Sequence, residues 1–354
     1  MGPTQKHNKV ILDYVEFYIA HSCNFNCQGC NRFNNYNFTG TQQWVDYADI
    51  YKQWAELIDI KECTVLGGEP MMNKSYLNWL TGIHCFWPNT KIKFLTNGSL
   101  LTPQHQELYD IIRGSNQQIQ LSIGLHNGSR RDDILDTCIK WLKGKVKIHR
   151  TPENLVDLPE FDKNWKIAYN QIRDPSWPEC NTVDQWLALP NSIRQECAQV
   201  HNFTPEILGE RLRNYLLEDS NGVQVLCVPN NQFHQAAVIP NSKTQSFSLH
   251  NSDPTQAHDN CDQKYCHHFI QGQLYKCGVV GILPDFYQQF NMELSKADVQ
   301  LIHNYNSGTV DMPNLNRFIN KLKNVIPQCK FCPEHYTSNE IYAESKKIIF
   351  KRKI

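Results

Sequence analysis

The sequence predicts an α/β fold: a partial (β/α)6 barrel followed by a small cysteine-rich C-terminal subdomain. Three observations point there. Short β-type runs alternate with longer amphipathic helical runs from residue 14 to about 150, the loops between them are short, and cysteine density rises again after about residue 255. Repeated β-α units with short connections build a parallel sheet that closes, or partly closes, on itself.

In chain order, the strands are "VEFYIA" (15–20), "CTVLG" (63–67), "KIKFLT" (91–96), "IQLSIGL" (119–125) and "KVKIH" (145–149). Helices are expected near 41–59, 73–86, 103–113 and 130–143, the second capped by Asn73 and the third opened by Thr102-Pro103. Residues 152–260 are punctuated by Pro and Trp, as in "RDPSWPEC"; a helical stretch is expected near 205–218, and "VQVLCVP" (223–229) supplies the sixth strand. The division drawn is a barrel over 10–254, a subdomain over 255–345 and a solvated basic tail over 346–354.

Lysines and arginines (35) balance aspartates and glutamates (35), so no global field recruits nucleic acid or an acidic membrane. The N-terminal "MGPTQKHNKVILDYVEF" has no uninterrupted apolar core, Lys6 stands where a myristoylation signal needs Ser or Thr, and no run approaches a membrane helix. The expected location is cytoplasmic. Of the fourteen cysteines, three crowd at the front and five at the back, while Cys63, Cys85, Cys138, Cys180, Cys197 and Cys227 stand alone and read as small buried hydrophobes. The asparagines of "NRFNNYNF" read as compositional bias.

Chemistry in such barrels gathers on loops at the C-terminal ends of strands. Here those loops are the cysteine loop, "GGEP" (67–70), "TNG" (96–98) and "LHNGS" (125–129), which should converge on one mouth. The cysteine loop "HSCNFNCQGCNRF" (21–33) is spaced Cys23-x3-Cys27-x2-Cys30, with no fourth cysteine until Cys63. Structural zinc and ordinary iron–sulfur clusters take four ligands. A three-thiol loop can instead hold three irons of a cube and leave the fourth open as a Lewis-acidic site.

"CNFNCQGC", with Phe25 in its gap, resembles the cysteine motif of the radical S-adenosylmethionine (radical SAM) enzymes, and "LGGEP" resembles their second motif. The resemblance covers roughly residues 14–150 and implies a TIM-like partial barrel. It also implies a [4Fe–4S] cluster on Cys23, Cys27 and Cys30, whose open iron is chelated by the amino and carboxylate groups of S-adenosylmethionine. The alternative, a zinc or structural thiol cluster, lacks a local fourth ligand. Gly67 and Gly68 then let the backbone approach the cosubstrate, and Glu69, ahead of Pro70, can accept from its ammonium. Thr96 and Asn97 offer polar contacts or form a plain turn. Ser122 resembles the family's ribose-contacting position, and Arg150 could pair with the cosubstrate carboxylate.

At the back, Gly272-x4-Cys277 and Cys329-x2-Cys332 resemble the auxiliary-cluster subdomains of the same superfamily, the SPASM type and its shorter twitch variant. With no cysteine after Cys332, the supply fits one cluster, hence twitch. The expected ligands are Cys266, Cys277, Cys329 and Cys332, with Cys261 an alternative to Cys266 or an unligated neighbour. A zinc at the same thiolates is the runner-up. His267, His268 and His335 read as ordinary hydrogen-bonding residues.

The implied activity is reductive cleavage of S-adenosylmethionine and hydrogen-atom abstraction from a C–H bond, as a net two-electron oxidation, with flavodoxin or ferredoxin as electron donor. Only 22 residues precede Cys23, too few for a leader-binding domain, which favours a small molecule or sugar over a short peptide. The contrasting reading is a non-catalytic iron–sulfur electron carrier, against which stands a motif that only a cosubstrate pocket needs.

Overall fold

The computed structural model describes residues 9–150 and 215–353, less 28, 127–129, 231, 235, 262, 336–337 and 341–348, and isolated positions between 169 and 193. Four β-α units open the chain: β1 (Val10–Tyr18), α1 (Trp44–Leu57), β2 (Ile58–Leu66), α2 (Tyr76–Phe86), β3 (Lys91–Thr96), α3 (Gln106–Gly114), β4 (Ile119–His126) and α4 (Arg131–Trp141). There follow β5 (Lys147–Arg150), β6 (Tyr215–Glu218), β7 (Gln224–Asn230), β8 (Gln232–His234), β9 (Val238–Asn241), β10 (Ser246–Leu249) and α5 (Pro254–Asp259). The chain ends with β11 (His267–Ile270), β12 (Gln273–Tyr275), α6 (Gly278–Gln289), α7 (Lys296–His303), α8 (Leu315–Lys321), a 3-10 turn (Pro327–Phe331) and β13 (Ser338–Glu340).

One nine-stranded sheet runs in the order β12-β11-β1-β2-β3-β4-β7-β6-β5. Its middle, β11-β1-β2-β3-β4-β7, is parallel throughout, giving the six parallel strands of the expected partial barrel. Their membership differs from the expectation. The run at 145–149 does form β5, but it pairs antiparallel with β6 at the sheet's edge, and β7 takes the place beside β4. The missing parallel strand is β11, paired Val15↔His267 beyond β1.

Two further expectations change. Within the stretch read as helix near 205–218, residues 215–218 are strand β6, and the rest lies outside the described residues. Asp219 makes that hairpin: its Oδ1 accepts from the amides of Asn221 at 2.8 Å and Val223 at 3.0 Å, and Gly222 turns with φ +76°. Of the basic tail, residues 349–353 are described: Lys351, Arg352 and Lys353 are exposed, while the backbone around Phe350 is docked. Phe350 is buried, its amide donates to Asn37 Oδ1 at 3.0 Å, and Lys353 Nζ donates to the Tyr287 carbonyl at 2.7 Å.

β1, β2 and β4 are buried on both faces toward their C-terminal ends, as parallel strands under helices are, while β3 alternates with Leu95 exposed; Val15, Phe17, Cys63, Val65, Phe94 and Leu121 are fully enclosed. Indole N–H groups tie helices to strands and loops: Trp54 to the Gly272 carbonyl at 2.9 Å and Trp87 to Ile58 at 3.0 Å. Asn73 is not the N-cap of α2; buried, it donates to the carbonyls of Ile19 (2.9 Å) and Gln42 (2.7 Å), and Ser75 takes the N-cap place. α3 starts at Gln106, three residues after Pro103, with His105 before it. A second core of Phe33, Tyr36, Phe38, Phe247, Phe286, Phe290 and Phe350 packs edge to face and tilted, with Phe33–Phe286 centroids 5.2 Å apart. No helix among the described residues is long and apolar enough to cross a membrane.

Candidate active site

The sheet brings the ends of β2, β3 and β4 to the cysteine loop that follows β1. They enclose one cavity of about 170 Å³. Cys23, Phe25, Cys27 and Cys30 line it from the loop, Gly67 and Gly68 from β2, Thr96 and Asn97 from β3, and Gly124 and His126 from β4. The convergence expected of the strand-end loops is therefore present. Among the described residues no three His, Cys, Asp or Glu side chains close round a single metal ion. The front thiols instead face a shared space, a donor set suited to a cluster of several irons. Burial pushes the Cys27 and Cys30 thiols up from their ordinary range, so they stay protonated until a metal displaces the proton.

The GGEP loop does two jobs. Its amides extend the parallel ladder: Gly68 N donates to the Ala20 carbonyl at 2.7 Å and Glu69 N to the Ser22 carbonyl at 2.8 Å. A Cβ on Gly67 would sit 2.5 Å from the Ala20 oxygen, and one on Gly68 would sit 2.5 Å from the Ser22 oxygen and 2.8 Å from Asn34 Nδ2. A close approach that demands glycine is thus made to the chain's own β1 exit. Glu69 is turned inward and fully buried. Its Oε1 accepts from Thr96 Oγ1 (2.6 Å) and Met71 N (2.9 Å), and its Oε2 from Asn97 N (2.8 Å). Burial raises its pKa while these three donors pull the other way. It braces the loop after β2 against the loop after β3, while buried Pro70 opens a 3-10 turn behind it.

Asn97 continues the brace to the cysteine loop, donating to Asn24 Oδ1 at 2.9 Å and lying 4.0 Å from Cys23 Sγ. Gly98 follows with φ +74°. Ser122 is buried in β4 between Leu95 and Leu226 and is not among the lining residues. Strand side chains alternate, so Ser122, Gly124 and His126 share a face, and the two nearer the strand end reach the cavity. Phe25 meets His126 edge to face, centroids 6.0 Å apart. Arg150 ends β5, and β5 is separated from β4 by β6 and β7.

Sequence reasoning missed His126, whose signal was the two-residue period from Ser122. It also set aside the asparagines. Asn34 and Asn35 are buried and line the cavity; Asn34 Nδ2 donates to the His21 carbonyl, and Cys30 Sγ lies 3.6 Å from Asn34 Oδ1.

Behind the cysteine loop lies a buried charge network. Glu16 Oε2 accepts from Arg32 Nη2 at 2.9 Å and sits 2.7 Å from His268 Nε2, while Tyr14 donates to Glu16 Oε1 at 3.0 Å. Burial works to raise the Glu16 pKa, but Arg32 and His268 outweigh it and hold the carboxyl well below its ordinary range. Arg32 follows Cys30 by two residues and His268 follows Cys266 by two, so the network joins the front cysteine loop to the back segment. α6 begins against it: a Cβ on Gly278, next to Cys277, would lie 2.8 Å from His268 Nε2. His268 is therefore a buried member of this network, its Nδ1 3.0 Å from the Cys266 carbonyl and its Nε2 2.8 Å from Arg32 Nη1. Cys261, Cys266, Cys277, Cys329 and Cys332 are half-buried in loops and turns of the back segment.

Residues 17–157 match the Radical SAM superfamily profile. This segment is a radical SAM domain. Among curated relatives of this chain are the GTP 3',8-cyclases of Helicobacter pylori (strain HPAG1) and Aliarcobacter butzleri (strain RM4018). The first is 25% identical over 181 residues, covering 46% of this chain and 56% of that protein. The second is 26% identical over 172 residues, covering 43% and 52%. The chain thus spans about half the length of the curated relatives it matches. Among solved structures, BtrN in complex with AdoMet and 2-DOIA is 18% identical, covers 36% of this chain and 52% of that one, and has a TM-score of 0.30. Streptococcus suis SuiB bound to precursor peptide SuiA is 13% identical over 86% of this chain and 64% of that one, with a TM-score of 0.36. Both likenesses are loose.

Proposed function

We propose that the chain binds S-adenosylmethionine in the cavity at the cysteine loop, on a [4Fe–4S] cluster held by Cys23, Cys27 and Cys30, and abstracts a hydrogen atom from a small molecule. The observation that carries the reading is the single cavity lined at once by the three thiols and by the ends of β2, β3 and β4. When bound, the reduced cluster supplies the electron that cleaves S-adenosylmethionine to methionine and a 5′-deoxyadenosyl radical.

The chain's own residues hold and shield. Cys23, Cys27 and Cys30 give up their protons on assembly. Glu69, Thr96 and Asn97 fix the loop ends so that the walls do not drift. Phe25 and His126 form a partly aromatic wall that keeps bulk water from a reactive alkyl radical. The back cysteines Cys277, Cys329 and Cys332, with Cys261 or Cys266, would hold a second cluster of twitch type, which supplies an electron acceptor for a net oxidation. Flavodoxin or ferredoxin is the matching class of electron donor. Likeness to GTP 3',8-cyclases supports a nucleotide or sugar as the substrate class.

The test is anaerobic incubation of iron-loaded protein with dithionite and S-adenosylmethionine. 5′-Deoxyadenosine and methionine are expected from the wild type and neither from Cys27→Ala. Loaded wild-type protein that leaves S-adenosylmethionine intact would overturn the reading.

A further inference from the structure

The 3-10 turn Asn34–Tyr36, just after the cysteine loop, stands between the second aromatic core and the cavity. Phe33 and Tyr36 are buried in that core, while Asn34 and Asn35 line the cavity. Phe33 enters the turn with φ +63°, a left-handed conformation unfavourable for a bulky residue, so packing must impose it. The aromatic side pins the turn, and the asparagine side is held at the cavity wall.

Asn35 is 7% exposed, and among the described residues no donor pairs with its Oδ1. A buried acceptor in that condition works against folding, and a donor on a bound molecule is what would offset it. Neighbouring side-chain acceptors are already engaged. Glu69 is not among the lining residues and accepts from three donors. Asn97 Oδ1 accepts from Ser99 N at 2.9 Å and from Ser99 Oγ at 2.6 Å, and Asn34 Oδ1 faces Cys30 Sγ at 3.6 Å.

Asn34 also fixes where this corner lies. Its Nδ2 is 2.8 Å from the place a Cβ on Gly68 would take, so the turn sits where the third cysteine meets the GGEP loop. Among the described residues no Asp or Glu lines the cavity. An amino group entering this corner meets an amide oxygen and no carboxylate.

We propose that Asn35 Oδ1 accepts a hydrogen bond from the amino group of S-adenosylmethionine and holds its methionyl end beside Cys30 and Gly68, a part expected of Glu69. The inference rests on the cosubstrate reading above and adds to it a binding residue outside both sequence motifs.

The test is calorimetric titration of iron-loaded full chain, anaerobic and without reductant so that the cosubstrate is not consumed. S-adenosylmethionine and its deamino analogue are the probes. Asn35→Leu is close in size and carries no acceptor. It is expected to bind S-adenosylmethionine about tenfold more weakly than wild type, to bind the deamino analogue equally, and to keep its front iron. Its unfolding midpoint without cosubstrate should match or exceed that of wild type, since a buried unbonded acceptor is gone. Unchanged affinity for S-adenosylmethionine, an equal loss with the analogue, or a lowered midpoint would overturn the role of Asn35. Wild-type protein that does not bind S-adenosylmethionine would instead remove the cosubstrate reading itself. Should Asn35→Leu not fold, Asn35→Asp decides: it keeps an acceptor oxygen and must keep S-adenosylmethionine binding, and a folded, iron-loaded Asn35→Asp chain that has lost it overturns the proposal.

Discussion

Gly68 makes a close approach within the chain, and its sequence motif does not reveal the partner. The sequence marks it as a place of close backbone approach, but only the fold shows that the approaching group is the Ser22 carbonyl inside the cysteine loop. Gly68→Val must therefore push the loop away, at a cost of about 1–3 kcal/mol typical of overpacking. Loss of front-cluster iron is expected along with loss of 5′-deoxyadenosine formation. Full iron with abolished turnover would return the glycine to a ligand-facing role. Glu16 makes a second case. With Gln there, Arg32 loses its counter-charge, and denaturant unfolding near pH 7 should show a loss of about 3–5 kcal/mol. The folded carboxyl titrates below its ordinary value of 4.5, so its contribution is complete above that pH and fades as pH falls through the folded value. The gap between wild type and Glu16→Gln should close in acid; a gap constant down to pH 2 would mean that packing, not charge, is lost.

At the scale of elements, the four leading β-α units were legible because each carries its own period and its own turn residues, within a few positions of the structure. The cysteine, GGEP and TNG loops were legible for the same reason, being local. β6 was not: "YLLE" suits helix or strand, and its pairing is decided by β7 and by Asp219 in the turn. β11 was hidden by its two histidines, since a four-residue "HHFI" looks like ligands or surface until β1 is placed beside it. The 3-10 turn yields a prediction of its own. Cys329→Ala with Cys332→Ala should leave S-adenosylmethionine cleavage in place but uncoupled from oxidised product, after circular dichroism confirms the fold. Full product from the folded double variant would make the back cysteines structural and the reaction redox-neutral.

For the whole molecule, the two cysteine regions are parts of one packed object. β11 and β12, which lie within the segment 255–345 set apart on cysteine density, extend the main sheet, and Phe33, Phe286 and Phe350 share one core. A chain ending at residue 254 would leave β1 with an open flank beside side chains as apolar as Val15 and Phe17. Light scattering should show it associating where the full chain does not; a monodisperse truncated chain would mean that the flank is covered by other means. The same pairing carries a cost in time. About 250 residues of chain separate β1 from its partner β11, paired Val15↔His267. At about 5–20 residues per second, that edge waits roughly 10–50 s for its neighbour during synthesis, so the nascent front cysteines emerge into the cell well before the sheet behind them can close.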